Sequence, residues 1–231
     1  MSLKELTKTY APMELDEICL NKLEVIGTRL QSENKKYNLT ALTADEDIAI
    51  LHFADCLQLV KNVDFAGKTV VDVGCGGGFP SLVIGAAEPS AKVHALDSTA
   101  KKLGFVAETA TLAGMDNIST LVGRAEELVA DRRESFDIAV SRGVSRLNIL
   151  AELCLPYVKV GGLFAAMKGA GGESEAAEAE KGIARLGGKL KAIIPAPVKG
   201  GEDHCVVVIE KLRPTPKEYP RQYNKIKKNP M

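Results

Sequence analysis

Thr69-Val70-Val71-Asp72-Val73-Gly74-Cys75-Gly76-Gly77-Gly78-Phe79-Pro80 is the stretch on which the reading of this chain turns. A β-branched run ends in four glycines within five positions, followed by a proline and an apolar stretch of helical character. Glycines there let the backbone turn tightly and approach a ligand with no side chain in the way. Strand, glycine loop and helix start are the parts from which α/β folds build a site for a nucleotide-like cofactor; a glycine-rich turn without a ligand is the plainer alternative.

The spacing narrows the cofactor. A dinucleotide fingerprint needs glycine or alanine at its sixth position, and counting from Gly74 that position is Phe79. A P-loop needs Gly-Lys-Ser/Thr, and none follows. What remains is D-x-G-x-G-x-G, here Asp72, Gly74, Gly76 and Gly78, the pattern of S-adenosylmethionine (SAM) sites. A second strand reads from Ala91 to Leu96 and ends at Asp97. An acid at that distance, at a strand's C-terminal end, accepts both ribose hydroxyls; the competing role for Asp97 is an N-cap for a helix from Ala100.

Working outward, strands are expected near 69–73, 92–96, 118–122, 136–141, 162–167, 190–194 and 204–211, and helices near 80–87, 100–113, 145–158 and 173–187. This alternation calls for a largely parallel sheet with helices on both faces. Only Pro195 to Asp203 separates the last two strands, so they should pair antiparallel through a turn at Lys199-Gly200-Gly201. The pattern resembles the sheet of class I SAM-dependent methyltransferases, Rossmann-like, of about seven strands with the last antiparallel. Upstream, residues 3–31 carry apolar positions at helical spacing, and a second helical stretch runs from Asp45 through Val60. The expected division is an N-terminal helical cap (1–65), a SAM-binding domain (66–212) and a basic tail (213–231).

With 231 residues, 45% hydrophobic and 26% charged, the composition is that of an ordinary globular protein. No apolar run approaches the ~20 residues of a membrane span, and the start lacks the apolar core of a signal peptide. The five cysteines are scattered, odd in number and without a C-x-x-C pair, which argues against a disulfide framework or zinc and for a reducing cytoplasm. The three histidines lie far apart, so no metal site is expected. Zero net charge hides an asymmetry. From Lys211 onward seven basic residues stand against one acid. That end reads either as a solvated, disordered terminus or as an electrostatic hook for a polyanion. As a hook, its removal (residues 214–231) should mainly weaken polyanion binding and flatten its salt dependence, leaving SAM affinity intact.

In open α/β sheets the ligand sits outside the carboxyl ends of the strands. Gly74–Phe79, Asp97, Arg124–Glu126 and Ser141–Arg142 should therefore line one crevice. Ala125 and Glu126 follow the third strand, where groups bracket an adenine, although acids in a first helical turn also serve the helix dipole. Arg142 opens the fourth loop. It has the means to anchor a phosphate, stack on a base, bind the SAM carboxylate or pair with a surface acid. Lys168 ends the fifth strand on the same side. His52 and Asp55, three apart on one helix face, read equally as a surface closing over the cleft onto RNA or as a buried pair holding the cap to the sheet. The fourth loop, Ser141-Arg142-Gly143-Val144, lacks the Asn/Asp-Pro-Pro-aromatic motif of exocyclic-amine methylation. Neither Cys75 nor Cys154 is placed as a nucleophile. A ring nitrogen such as guanine N7 already presents a lone pair and needs only alignment and exclusion of water.

At this point the chain resembles, over essentially its whole length, the bacterial 16S ribosomal RNA guanine-N7 methyltransferase G family. The segments that carry the resemblance run in order and at matching spacing. They are Tyr37-Asn38-Leu39-Thr40-Ala41-Leu42, His52-Phe53-Ala54-Asp55-Cys56-Leu57, Asp72 to Pro80, Leu96-Asp97-Ser98 with Lys101-Lys102, Arg124-Ala125-Glu126-Glu127, Ser141-Arg142-Gly143, and Tyr219-Pro220-Arg221 with Lys227-Lys228-Asn229-Pro230. The resemblance implies SAM contacts at Gly74, Phe79, Ala125, Glu126 and Arg142. It also implies methylation of a guanine in a small-subunit rRNA hairpin near the decoding centre, with 16S rRNA or the small subunit as partner. No membrane partner is implied, and a monomer is expected. Cys56 stands where serine is usual, Ser81 where glycine is common and Gly143 where alanine is common; Ser81 puts in question how tightly the first helix packs.

Overall fold

In the computed structural model, which describes residues 1–37 and 39–231, the β-branched run forms β1 (Thr69–Val73), fully flanked on both sides. β2 (Lys92–Asp97), β3 (Ile118–Val122), β4 (Phe136–Arg142) and β5 (Val158–Lys168) join it in parallel, and β6 (Gly188–Pro195) and β7 (Cys205–Lys211) complete a seven-stranded sheet. The order is β3-β2-β1-β4-β5-β7-β6. β7 runs antiparallel to both β5 and β6, so it inserts between them and leaves β6 at the edge. The β6–β7 connection turns at Val198–Gly201, bridged by backbone hydrogen bonds in both directions and with Gly200 at φ +78°. The antiparallel pair and its turn therefore stand as the sequence leads one to expect; the insertion is an additional feature.

Two apolar cores lie on the two faces of the sheet. On one face pack α1 (Leu3–Tyr10), α2 (Glu17–Tyr37), α5 (Ser81–Ala87) and α6 (Ala100–Leu112), with Leu23, Ile26, Phe53 and Leu57 buried against Val70 and Val93. On the other pack α8 (Leu147–Cys154) and α9 (Gly172–Arg185), with Leu150, Tyr157 and Ile183 against Val71, Phe164 and Val207. Alternate residues of a strand point to opposite faces, which is why Val70 and Val71 join different cores. The N-terminal helices thus share a continuous core with the sheet.

Local departures from the expected elements have local causes. α1 ends before Pro12, so residues 3–31 form two helices, and Ile18 is exposed. The expected helix over 145–158 stops at Cys154. Pro156 has no N–H to continue the ladder, and after a tight turn at Leu155–Tyr157 the chain enters β5 at Val158, four residues before the expected start. The stretch 45–60 is not a uniform α-helix. A short turn, α3 (Asp45–Asp47), leads into wide π-helical turns over Ile48–Ala54 and then α4 (Asp55–Asn62). In the segment 37–42, Asn38 lies outside the described residues.

Residues 213–231 are not a loose end. α10 (Tyr223–Lys228) buries Ile226 completely, and Arg221 grips the fully buried carboxylate of Glu152 with Nε at 2.9 Å and Nη2 at 2.6 Å. Arg133 donates to the carbonyls of Thr215 and Tyr219. Lys211 is itself buried, donating to Leu155 O and Thr215 Oγ1. A buried carboxylate demands such a partner, and this demand orders the segment.

Candidate cofactor and acceptor site

The glycine loop leaves β1 with Gly74, Gly76 and Gly78 at φ +78°, +55° and +91°, conformations in which a Cβ would be strained. Gly74 N and Cys75 N both donate to Leu96 O, which ties the loop to the end of β2. Asp72, wholly buried under the loop, accepts from the backbone N and the hydroxyl of Ser81 at the start of α5. The departure at Ser81 therefore fastens the first helix rather than loosening it. Burial pushes the Asp72 carboxyl up to about 6, against the pull of those two hydrogen bonds.

Asp97 ends β2, half-buried. One carboxylate oxygen accepts from Gly76 N at 3.0 Å and the other from Thr99 N at 2.8 Å. Thr99 occupies the N-cap position of α6 without a side-chain cap hydrogen bond of its own. Gly74, Asp97, Gly123, Ala125 and Glu126 line a cavity of about 180 Å³, completed by Val144 from the fourth loop, Leu153 from α8 and Tyr223 from α10. Ala125 and Glu126 belong to α7 (Ala125–Leu128), whose first carbonyl is held by Tyr157 Oη at 2.6 Å. Gly76 has open space where a Cβ would stand. The residues present fit SAM: a bare backbone cradle, then a carboxylate with lone pairs to spare, then a helix start.

Beyond the fourth loop lies a second, wider crevice of about 640 Å³, lined among others by Leu51, His52, Arg142, Gly143, Lys168 and His204. Arg142 stands at its inner wall. Nη1 donates to Leu51 O at 2.9 Å and Asp55 Oδ2 at 3.0 Å, and Nη2 donates to His52 Nδ1 at 3.0 Å. The guanidinium lies 5.4 Å from the centroid of Phe79, on which the His52 ring also stacks at 4.5 Å. Arginine only donates, so His52 Nδ1 carries the lone pair and Nε2 the proton, which it gives to Thr40 Oγ1 at 2.9 Å. Burial, reinforced by the Arg142 charge, pushes this ring down to about 3 and keeps it neutral. Asp55 spends its other oxygen on His204 Nδ1 at 2.9 Å.

His52 and Asp55 thus do not pair with each other; both hold Arg142, whose partner is a buried acid and not a surface one. Phe79 is buried under His52 and Arg142, and its ring serves them as a platform. Lys168 reaches across to Ser145 O at 2.9 Å and Glu175 at 2.8 Å, closing the far wall. Cys75 and Cys154 are buried, and burial drives both thiols well above their ordinary range, which disqualifies them as nucleophiles. Thr40, His204 and Tyr223 were not legible as site residues. His204 lies 149 positions from Asp55, Tyr223 lies in the tail, and Thr40, though part of the segment 37–42, has no local pattern that pairs it with His52. Among the described residues, no group of three or more His, Cys, Asp or Glu is arranged to hold a metal, and no helix is long and apolar enough to cross a membrane.

Sheet order, glycine cradle and carboxylate together define a class I methyltransferase fold. A solved structure titled a 16S rRNA adenine-N1 methyltransferase, from Catenulisporales acidiphilia, superposes with a TM-score of 0.55 at 15% identity, covering 66% of this chain and 88% of that one. The model of the family described as "GidB: rRNA small subunit methyltransferase G" matches residues 19–202. Two curated relatives are named ribosomal RNA small subunit methyltransferase G. That of Clostridium perfringens (strain 13 / Type A) is 40% identical over 95% of this chain and 93% of its own length. That of Clostridium tetani (strain Massachusetts / E88) is 41% identical over 94% and 92%. The chain belongs to the rRNA small subunit methyltransferase G family.

Proposed function

We propose that this protein transfers the methyl group of SAM to N7 of a guanine in 16S rRNA of the small ribosomal subunit. The observation that carries the reading is the pair of adjoining hollows. The end of β4 and the loop that follows it reach both hollows: Val144 lines the glycine-and-carboxylate cavity, and Arg142 and Gly143 line the wider crevice. When bound, SAM supplies an electrophilic methyl on a sulfonium centre. Gly74 and Gly76 leave the backbone bare for its amino-acid portion, Asp97 accepts the ribose hydroxyls, and Ala125 and Glu126 bracket the adenine. Arg142 lines the wide crevice, with Phe79 buried beside its guanidinium. Arg142, held rigid by three acceptors, orients the guanine that enters the wide crevice, and the Phe79 ring packs beside its guanidinium. N7 brings its own lone pair, so no base is required of the protein; alignment and exclusion of water carry the rate. Extruding the guanine from its hairpin costs a few kcal/mol, offset by contacts in the crevice.

The helical cap (1–65), the SAM-binding domain (66–212) and the tail (213–231) are then, respectively, the wall that fixes Arg142, the cofactor platform and an ordered segment whose exposed lysines face the RNA. The enzyme works as a monomer in the cytoplasm. The test is label transfer from SAM to 16S rRNA, free or in the small subunit, followed by borohydride and aniline. Cleavage at a single guanine is the expected result. A methylated nucleotide that resists cleavage, or label passing only to small molecules or proteins, overturns it.

A further inference from the structure

The C-terminal segment reaches the cofactor cavity. Tyr223, half-buried at the start of α10, lines the 180 Å³ cavity together with Gly74, Asp97 and Ala125. It also lines the adjoining outer groove of about 370 Å³, between Arg124 and Glu126 on one side and Gln222 on the other. Of the residues that line the inner cavity, only Arg124, Glu126 and Tyr223 also line the outer one. They mark the end of the cavity that lies toward β3, away from the glycine loop. The segment is fastened on both sides of Tyr223. Arg221 holds the buried Glu152 two residues before it, and Ile226 is wholly buried three residues after it. The ring itself packs on the apolar cluster that contains Leu96 and Ala125. The matched family model ends at residue 202, so nothing in that match assigns Tyr223 a role.

We propose that Tyr223 is a cofactor-binding residue that closes the outer end of the cavity against the nucleobase of SAM. The inference rests on the reading of SAM as cofactor. The ribose carboxylate, Asp97, stands between the glycine loop and the β3 end, so the base must lie toward Arg124 and Glu126, where Tyr223 is. An aromatic face is the chemistry that suits a nucleobase, because stacking needs no particular hydrogen-bond pattern. The tail thus completes the cofactor site and is not separable from it.

The chain contains no tryptophan, so Tyr223→Trp introduces a single indole fluorophore. Titrating SAM into Tyr223→Trp should quench or shift that emission with the same Kd that calorimetry gives. Tyr10→Trp, on α1, should stay silent. Tyr223→Ala should weaken SAM binding roughly ten- to a hundredfold and raise KM for SAM without raising KM for rRNA, and Tyr223→Phe should restore both. A wild-type protein that binds no SAM would overturn the cofactor reading. SAM bound normally by wild type and Tyr223→Ala alike, with Tyr223→Trp emission unchanged, would overturn the role of Tyr223 alone.

Discussion

Arg142 has five N–H donors, and three of them are committed to Leu51 O, Asp55 and His52. Removing the guanidinium strands a buried carboxylate, so Arg142→Ala should lose about 3–5 kcal/mol of stability, read as a fall in the urea midpoint, as well as methyl transfer. His52 offers a cleaner measurement. Its folded value of about 3 lies below the ordinary 6.5, so between these the unfolded chain binds a proton that the folded chain refuses. The contribution is fully present above pH 6.5 and is lost as pH falls toward 3, about 1.4 kcal/mol by pH 5.5. Equilibrium unfolding at pH 7.5 and 5.5 should show this loss in wild type and its absence in His52→Gln. Asp72, raised to about 6, contributes with the opposite sign in both proteins and cancels in the comparison. Asp97→Ala should weaken SAM binding by about 1.5–3 kcal/mol; an unchanged calorimetric Kd in a folded variant would remove Asp97 from the site. The types and positions of Asp97 and Arg142 were legible because they end strands beside a glycine loop. That Arg142 would be buried, with Asp55 and His52 as its partners, was not, because no local pattern encodes a contact across some 90 residues.

At the scale of the element, the β1–loop–α5 unit does one thing: it presents bare backbone at the end of a buried strand. Gly76 sits at φ +55° with open space before it. Gly76→Val should therefore cost only the left-handed backbone strain, about 1–2 kcal/mol, while filling the cradle. The expected outcome is a cooperative thermal melt only modestly lowered together with loss of SAM binding in calorimetry; retained binding would mean the loop is not the cradle. The π-helical turns over Ile48–Ala54 were hidden from periodicity analysis. A run of apolar residues reads as helix whatever its pitch, and it is the wide turns that carry Leu51 O and His52 to Arg142. The early end of α8, by contrast, has its signal in the sequence at Pro156.

For the whole molecule, the tail matters most. Lys225, Lys227 and Lys228 are exposed, whereas Lys211 is buried and Arg221 neutralised by Glu152. Replacing the three exposed lysines by Gln should lower rRNA affinity and reduce the slope of log K against log salt by up to about 2–3, with the Kd for SAM unchanged. Deleting residues 214–231 is a different experiment, because it orphans Glu152 and removes Tyr223 from the cofactor cavity. The sequence by itself determined the order of strands and helices, the class of sheet, the cofactor loop and the family, because each rests on local periodicity or on spacing within a few dozen residues. Only the tertiary structure decided that β7 inserts between β5 and β6, that the basic tail is an ordered part of the body, and that His52 and Asp55, themselves bonded to Thr40 and His204, hold one arginine. Those outcomes follow from burial. Buried charges and donors must find partners wherever the fold has brought them, and that demand acts through space, at separations that sequence patterns do not record.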